Sequence, residues 1–470
     1  MKLTTLKKIA IASSNYDDKI YIAELYANLM IGNCDLKYDD NEFEKELISS
    51  FEWISDNIEL PNIEPTSSIC HVISTPYLEG GHTRLCENLA KIDDCQDSLL
   101  ITRSAKNNVI DRLNKFFSEI HIIKSKNNID KIKEIISFLI KFDKIILHIH
   151  PDDILTIISI GLLKKKSNKN NIFFVNHADH IFSFGRSVID VMLLISYRGY
   201  EIENKNSYTY KLSYLGIPIN INKLPTFKKP IENLLIAGSS YKMKPSSTIS
   251  IQKEIDTYMS KHRKINLTVI GAKFTDYWWW PIKLKYWSRV KMYDLLSYPN
   301  YMEILDKCDS CIDTAPSTGG TAFAEMYLNN LRPLAIYSGI YGYTPLDAIR
   351  GHTLEESYIK SNDRQLDELF DELDRIHNPK HVGSRYRDSL EFHYHKIPTS
   401  LTKLQNNLSL YSNPGKKTIN LDMMKKIRKI KSMSFTDKIN ILAFNVNMTD
   451  FILKNIIKIK NKIINLIKNN

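Results

Sequence analysis

Two segments in the second half of the chain pair a flexible turn with residues able to hold an anion. In CIDTAPSTGGTAFAEMYLNNLRPLAIY (311–337), an apolar run ends at Asp313, a small-residue loop spans Ala315 to Gly320, and a helical stretch opens at Thr321. A loop running into a helix start leaves backbone N–H groups and the positive end of the helix dipole facing outward, which suits phosphate. Gly319 and Gly320 let the main chain approach a ligand closely. Glu325 follows about one turn into the helix, where a carboxylate can accept hydrogen bonds from two ribose hydroxyls. Upstream, LLIAGSSYKMKPSS (234–247) ends a strand on Gly238, Ser239 and Ser240 and then offers Lys242. A lysine there can reach a diphosphate as a point charge. An ordinary capped loop and a solvated lysine are the plainer readings of the same residues.

The first half carries a second set. STPYLEGGHTRLCENLAK (74–91) reads as strand, glycine-rich turn and helix, with Gly80 and Gly81 in the turn, His82 at its tip and Arg84 beyond. LHIHPDD (147–153) ends a strand on His148 and His150, and FFVNHADHIFSFG (173–185) places His177, Asp179 and His180 just past another. Groups that follow successive parallel strands converge on one edge of the sheet. Imidazole or carboxylate there can take a proton near neutral pH. A lone histidine is more often structural, but clustering at strand ends favours a site. Asp179 and His82 are the first candidates for a base, and His180 is the third.

Taken together, the two segments of the second half resemble the donor half of a GT-B glycosyltransferase and are similar in particular to the O-GlcNAc transferase family. That family pairs a Tyr-Lys-x-x-Pro loop with a later strand ending in Asp-Thr or Asp-Pro, a Gly-Thr-Thr loop and an acid on the next helix. The corresponding residues here are Tyr241-Lys242-Met243-Lys244-Pro245, Asp313-Thr314, Gly319-Gly320-Thr321-Ala322 and Glu325. The resemblance implies a nucleotide-diphosphate sugar, foremost a UDP-sugar, as co-substrate, with no resident cofactor. Lys242 would hold the β-phosphate. Thr321 and the amides around Gly320 and Ala322 would hold the diphosphate, and Glu325 the ribose. Gly238 and Ser239 belong to the same donor turn, and Gly81 would approach the phosphates from the first half. The chain departs from the pattern at Ala322, where the family has a second Thr, at Glu325, where it usually has Asp, and at Tyr301, where a His normally packs on the nucleotide. The tetratricopeptide array of that family is absent. Of the acidic pair that many related enzymes carry in this region, the first member is replaced by Ser317.

The expected chemistry is transfer of a sugar to a hydroxyl. A base removes the acceptor proton, while Lys242, Thr321 and the helix end face the charge gathering on the departing diphosphate. The expected acceptor is a glycan or lipid-linked glycan in bacterial surface polysaccharide synthesis, such as capsule or lipopolysaccharide. A protein O- or N-glycosyltransferase is the alternative, followed by a nucleotide-sugar epimerase and a non-catalytic glycan-binding scaffold. No metal is expected, because the Asp-x-Asp motif of metal-dependent GT-A enzymes is missing. The His-x-His and HADH strings could still ligate an ion, and Cys308 and Cys311 form a single CxxC with no second pair.

These residues need two frames to position them. From Ser68, apolar runs of strand length alternate with amphipathic stretches of helix length, and the alternation restarts at Ile231. This predicts an α/β protein with two tandem Rossmann-like doubly wound domains. The expected division is a helical segment over 1–65, an acceptor domain over 66–222, a donor domain over 223–380 and a helical basic extension over 381–470.

Composition agrees with this organisation. The 470 residues amount to about three domain-sized units at roughly 150 residues each. At 43% hydrophobic and 25% charged, the chain is neither disordered nor collagen-like. The apolar runs fall short of the ~18–20 residues of a membrane span, and the N-terminus lacks the apolar core of a signal peptide, so a cytoplasmic protein is expected. The net charge is +11, of which 416–470 carries +10 (13 Lys/Arg against 3 Asp), so the rest is near neutral and nothing calls for nucleic acid. MMKKIRKIK (423–431) and FILKNIIKIKNKIINLIK (451–468) read as basic amphipathic helices, which predicts peripheral contact with an anionic inner-membrane face. The cluster Tyr277-Trp278-Trp279-Trp280 with Tyr286-Trp287 could stack on sugars, meet a membrane interface or form a buried core.

Overall fold

The computed structural model describes residues 3–391, apart from breaks at 33–36, 59–65, 79–80, 95, 168, 205–208, 222, 229, 339–345, 347–348 and 363–364. The basic segment 416–470 and its expected membrane contact lie outside the described residues.

Apolar runs such as SLLI and VMLL, buried along their whole length, form the inner strands of a seven-stranded parallel sheet. A strand covered on both faces must be apolar on both. The strands are β1 (Thr66–Ile73), β2 (Ser98–Ile101), β3 (Glu119–Ile122), β4 (Phe142–His148), β5 (Asn171–Val175), β6 (Val191–Leu194) and β7 (Lys211–Tyr214), in the order β3-β2-β1-β4-β5-β6-β7. A second, five-stranded parallel sheet holds β8 (Asn233–Ala237), β9 (Asn266–Ile270), β10 (Val290–Tyr293), β11 (Ser310–Ile312) and β12 (Arg332–Leu334), in the order β10-β9-β8-β11-β12. The strand order reverses between β1 and β4 and again between β8 and β11. Such switch points open a crevice at the carboxyl ends of the strands. The sequence reading passes over β6 and β10. The first is a short strand of four residues, and the second is an edge strand with half-exposed side chains.

Helices α1 (Leu3–Ala12), α2 (Tyr16–Gly32), α3 (Asn41–Ser49) and α4 (Glu52–Asp56) precede the first sheet, and α5 (Gly81–Ala90), α6 (Asn107–Leu113), α7 (Asn128–Leu139), α8 (Ile154–Lys166) and α9 (Tyr197–Glu203) alternate with its strands. The second sheet is served by α10 (Ile251–Lys261), α11 (Trp280–Lys285), α12 (Tyr298–Asp306), α13 (Thr321–Leu328), α14 (Leu354–Asn362), α15 (Gln365–His377) and α16 (Pro379–Glu391). α8 is buried from Ile154 through Leu163 because α2, α3 and α4 cover the side that faces away from the sheet. Asp153 caps it by accepting from the Thr156 N–H and also takes the hydroxyls of Ser74 and Thr102, which ties the ends of β1 and β2 to this helix.

The last helix returns to the first sheet. Arg385 Nε donates to the Leu215 carbonyl at 3.0 Å, Ser389 bonds Ser213, and Tyr386 is buried with its hydroxyl 3.5 Å from His71 Nε2. The two sheets are thus clasped by chain that follows both. Among the described residues no helix is long and apolar enough to cross a membrane.

Candidate active site between the two sheets

The loops after β8 and β11 touch. The Ser317 N–H donates to the Lys242 carbonyl at 3.2 Å, and a Cβ on Gly238 would lie 2.7 Å from Thr314 Cγ2. Asp313 organises the second loop. Its Oδ1 accepts from the N–H groups of Thr314 (2.8 Å) and Gly319 (2.7 Å), and its Oδ2 takes Arg350 through Nε (3.1 Å) and Nη2 (2.6 Å). Burial raises the Asp313 pKa, opposed by Arg350, the Gly319 N–H and Lys242. The half-buried Lys242 side chain lies in the same field. Burial lowers its pKa, Asp313 counteracts this, and Arg198 of the first domain lowers it further. Lys242 is therefore within electrostatic reach of charged groups on both domains.

α13 opens behind Gly320, which has no side chain with which to cap it, and no side-chain hydrogen bond covers this end. Thr321 and Ala322 are half-buried at the start of the helix. Gly81 meets it from the opposite domain: a Cβ there would come 3.9 Å from Thr321 Oγ1. Gly238 donates its N–H to the Ile270 carbonyl, and Ser239 starts the short turn that carries Lys242. Glu325 accepts from the Tyr298 hydroxyl at 2.9 Å, and the guanidinium of Arg84, from α5, lies 4.7 Å over the Tyr298 ring. Burial and Glu325 push the Tyr298 phenol up to about 12. Tyr301 is packed 6.1 Å from Tyr298, and its buried hydroxyl has no hydrogen-bond partner. A buried donor left unmet in this way costs about 1–3 kcal/mol unless a ligand satisfies it.

On the first sheet, His82, His148, His150 and His177 come together. The His82 and His177 rings are 4.5 Å apart, those of His82 and His150 5.7 Å, and His82 Nε2 donates to the His148 carbonyl at 2.7 Å. His82 Nδ1 is buried without a partner. Burial, with His150 adding to it, lowers the His82 pKa to about 4, so the ring is neutral and can accept a hydrogen bond at pH 7.

Asp179 has different neighbours. Arg198 Nε (2.9 Å) and Nη2 (2.5 Å) both bind its Oδ1, Ser196 Oγ donates to Oδ2, and His180 Nδ1 is 3.3 Å away. Burial works to raise its pKa, but Arg198, His180 and Ser196 outweigh burial and hold it at about 2. A carboxylate that acidic and that fully engaged is a poor proton acceptor at pH 7. The geometry makes Asp179 the anchor of Arg198 and places His180 in the same cluster. Arg198, Arg350, Tyr298, His71 and Asp97 escape the sequence reading. Arg198 and Tyr298 open helices after β6 and β10, the strands the sequence reading passes over, and the other three are marked only by their neighbours.

The residues best placed for a metal are His71, Cys86 and His148, whose donor atoms lie within 4.8 Å of one another. The contact between His71 Nδ1 and His148 Nε2 is 2.9 Å. Two nitrogens bound to one zinc at 2.0–2.1 Å in tetrahedral geometry stand roughly 3.3 Å apart. The observed contact is therefore a hydrogen bond.

The site and its frame define a class: two Rossmann-like domains whose switch-point loops face each other, the GT-B arrangement. No protein-family model matches the chain. No curated protein matches it. Among solved structures the chain is similar to an O-GlcNAc transferase mutant of Thermobaculum terrenum, at 10% identity and TM-score 0.45 over 87% of this chain and 78% of that one. It is similar to TarM of S. aureus at 11% identity and TM-score 0.49 (73% and 99%), and to Anabaena HepE, solved with UDP and glucose, at 10% and 0.47 (73% and 100%).

Proposed function

We propose that this protein is a glycosyltransferase that moves a sugar from a nucleotide-diphosphate sugar, foremost a UDP-sugar, to a hydroxyl of a glycan or lipid-linked glycan. The observation that carries this reading is the meeting of Gly81 with Thr321 at the uncapped start of α13, next to the Lys242 loop, whose carbonyl accepts from the Ser317 N–H. A diphosphate bound there would take the first-turn amides, the Thr321 hydroxyl and the Lys242 ammonium, and all of these strengthen as charge builds on the leaving group. Glu325 and the unmet Tyr301 hydroxyl lie on the nucleoside side. Neutral imidazoles at His82 and His177 lie on the acceptor side and favour transfer to a hydroxyl over a non-catalytic glycan-binding scaffold.

The test is calorimetry with UDP. Lys242→Ala and Glu325→Ala should each weaken binding at least roughly tenfold, about 1.4 kcal/mol. Unchanged affinity in both folded variants would remove the donor-site assignment. Turnover of a nucleotide sugar without any acceptor would point to the epimerase alternative instead.

A further inference from the structure

One row of buried groups has no part in the donor chemistry. Asp97, just before β2, has an Oδ2 2.9 Å from His71 Nε2 on β1. His71 Nδ1 is 2.9 Å from His148 Nε2 at the end of β4, and His148 Nδ1 is 3.0 Å from His177 Nε2 just past β5. The row crosses four adjacent strands, one residue from each, and His71 and His148 are wholly buried. The 2.9 Å contact pairs the Asp97 carboxylate as acceptor with a proton on His71 Nε2, which leaves a lone pair at His71 Nδ1. His148 must then donate through Nε2 and accept at Nδ1, and His177 must donate through Nε2. This leaves a lone pair on His177 Nδ1, which has no hydrogen-bond partner among the described residues, on a ring that is only half-buried. One carboxylate thus sets the tautomer of three successive rings.

We propose that Asp97, His71 and His148 form a proton relay that fixes His177 as the general base at the acceptor side of the cleft. The proposal rests on the glycosyl-transfer reading for its substrate. In the step, the acceptor oxygen bonds to the anomeric carbon, and the bond from that carbon to the diphosphate oxygen breaks, with its electron pair leaving on the diphosphate. The acceptor proton goes to His177 Nδ1. The Nε2 protons can then shift in turn to His148 Nδ1, His71 Nδ1 and Asp97, and they shift back when His177 releases its proton to solvent. Asp93, Cys86 and Tyr386 face the Asp97 end of the row, and His82 and His150 face the His177 end. His177 is the catalytic residue of this scheme, and the other three are positioning residues.

The relay can be read without substrate. In full-length protein labelled with 15N-histidine, long-range nitrogen–proton correlations should show the Nε2–H tautomer at His71, His148 and His177. An Nδ1–H tautomer at His177, or stoichiometric zinc bound through His71 and Cys86 in the purified protein, overturns the proposal. Asp97→Asn should alter the His177 resonances three groups away. It should also lower kcat at least tenfold with donor KM unchanged and move the acid limb of the pH–rate profile, while Asp97→Glu should restore much of the rate. A folded Asp97→Asn variant with wild-type His177 signals and wild-type turnover overturns the proposal. If that variant fails to fold, the wild-type tautomers decide. Loss of the tautomers sinks the relay alone, and absent UDP affinity sinks the donor-site reading alone.

Discussion

Asp179 and His177 lie two residues apart in the sequence, yet their neighbours give them opposite chemistry. Asp179 is gripped by Arg198 and stays ionised, whereas His177 is held through Nε2 and keeps its other nitrogen. Asp179→Asn should therefore act first on stability, because it removes the carboxylate that grips a buried guanidinium. Such a loss costs about 3–5 kcal/mol. Replacing both partners, with Asp179→Leu and Arg198→Met, should recover much of that stability while still weakening UDP binding, since Arg198 contributes to the field at Lys242. Urea midpoints and calorimetry on the two variants check this. A single variant as stable as wild type would show that the pair does not anchor the loop. Lys242 and Glu325 stand out in the sequence because each lies in a strand–turn–helix pattern, whereas Arg198 follows β6, a strand the sequence reading passes over.

At the scale of elements, the donor loops depend on the backbone behind them. Gly271, directly after β9, has φ +92°, and a Cβ there would lie 1.9 Å from the Gly238 carbonyl oxygen. Backbone cannot yield as a side chain can, so Gly271→Ala should displace the Gly238 turn. Strain of this kind costs of order 1–3 kcal/mol, and UDP affinity should fall with it. Wild-type melting and affinity would count against this coupling. The aromatic cluster resolves into two faces. Trp279 and Tyr286 are buried, while Phe274 (84% exposed), Tyr277, Trp280, Leu284 and Trp287 (68% exposed) form an outward stripe at spacings of three and four, with Lys283 and Lys285 beside it. Apolar and aromatic groups interleaved with lysine suit an anionic lipid surface, which would favour a lipid-linked acceptor. Trp280→Glu with Trp287→Glu should reduce co-sedimentation with phosphatidylglycerol vesicles several-fold. Unreduced binding would assign membrane contact to another part of the chain.

For the whole molecule, the buried histidines make stability depend on pH. Burial lowers the pKa of His148 and His177 well below 6.5 and that of His82 to about 4. The unfolded chain therefore binds protons that the native one refuses. The stabilisation is complete above about pH 6.5 and is lost as the pH falls below it, for His82 over the window down to about 4. Each group costs up to about 1.4 kcal/mol per pH unit within its window. Melting temperature should drop clearly between pH 7 and pH 5. A flat profile would mean that these rings are not buried neutral. α16 adds a second whole-molecule feature. It comes from the far end of the chain and brings Tyr386 against His71, so the condition of the relay is coupled to the clasp between the domains.

The sequence by itself determined the alternation of strand and helix, and with it two parallel sheets, because hydrophobic period and turn residues act over a few neighbours. It equally placed the glycine turns and Lys242 at strand ends, on which their proposed role rests. Only the tertiary structure decided that His177 and His82 each keep a ring nitrogen unbonded, that Asp179 is bound to Arg198, and that Gly81 meets Thr321. Those outcomes depend on contacts between residues far apart in the chain, and burial and charge across such contacts fix protonation, tautomer and reach.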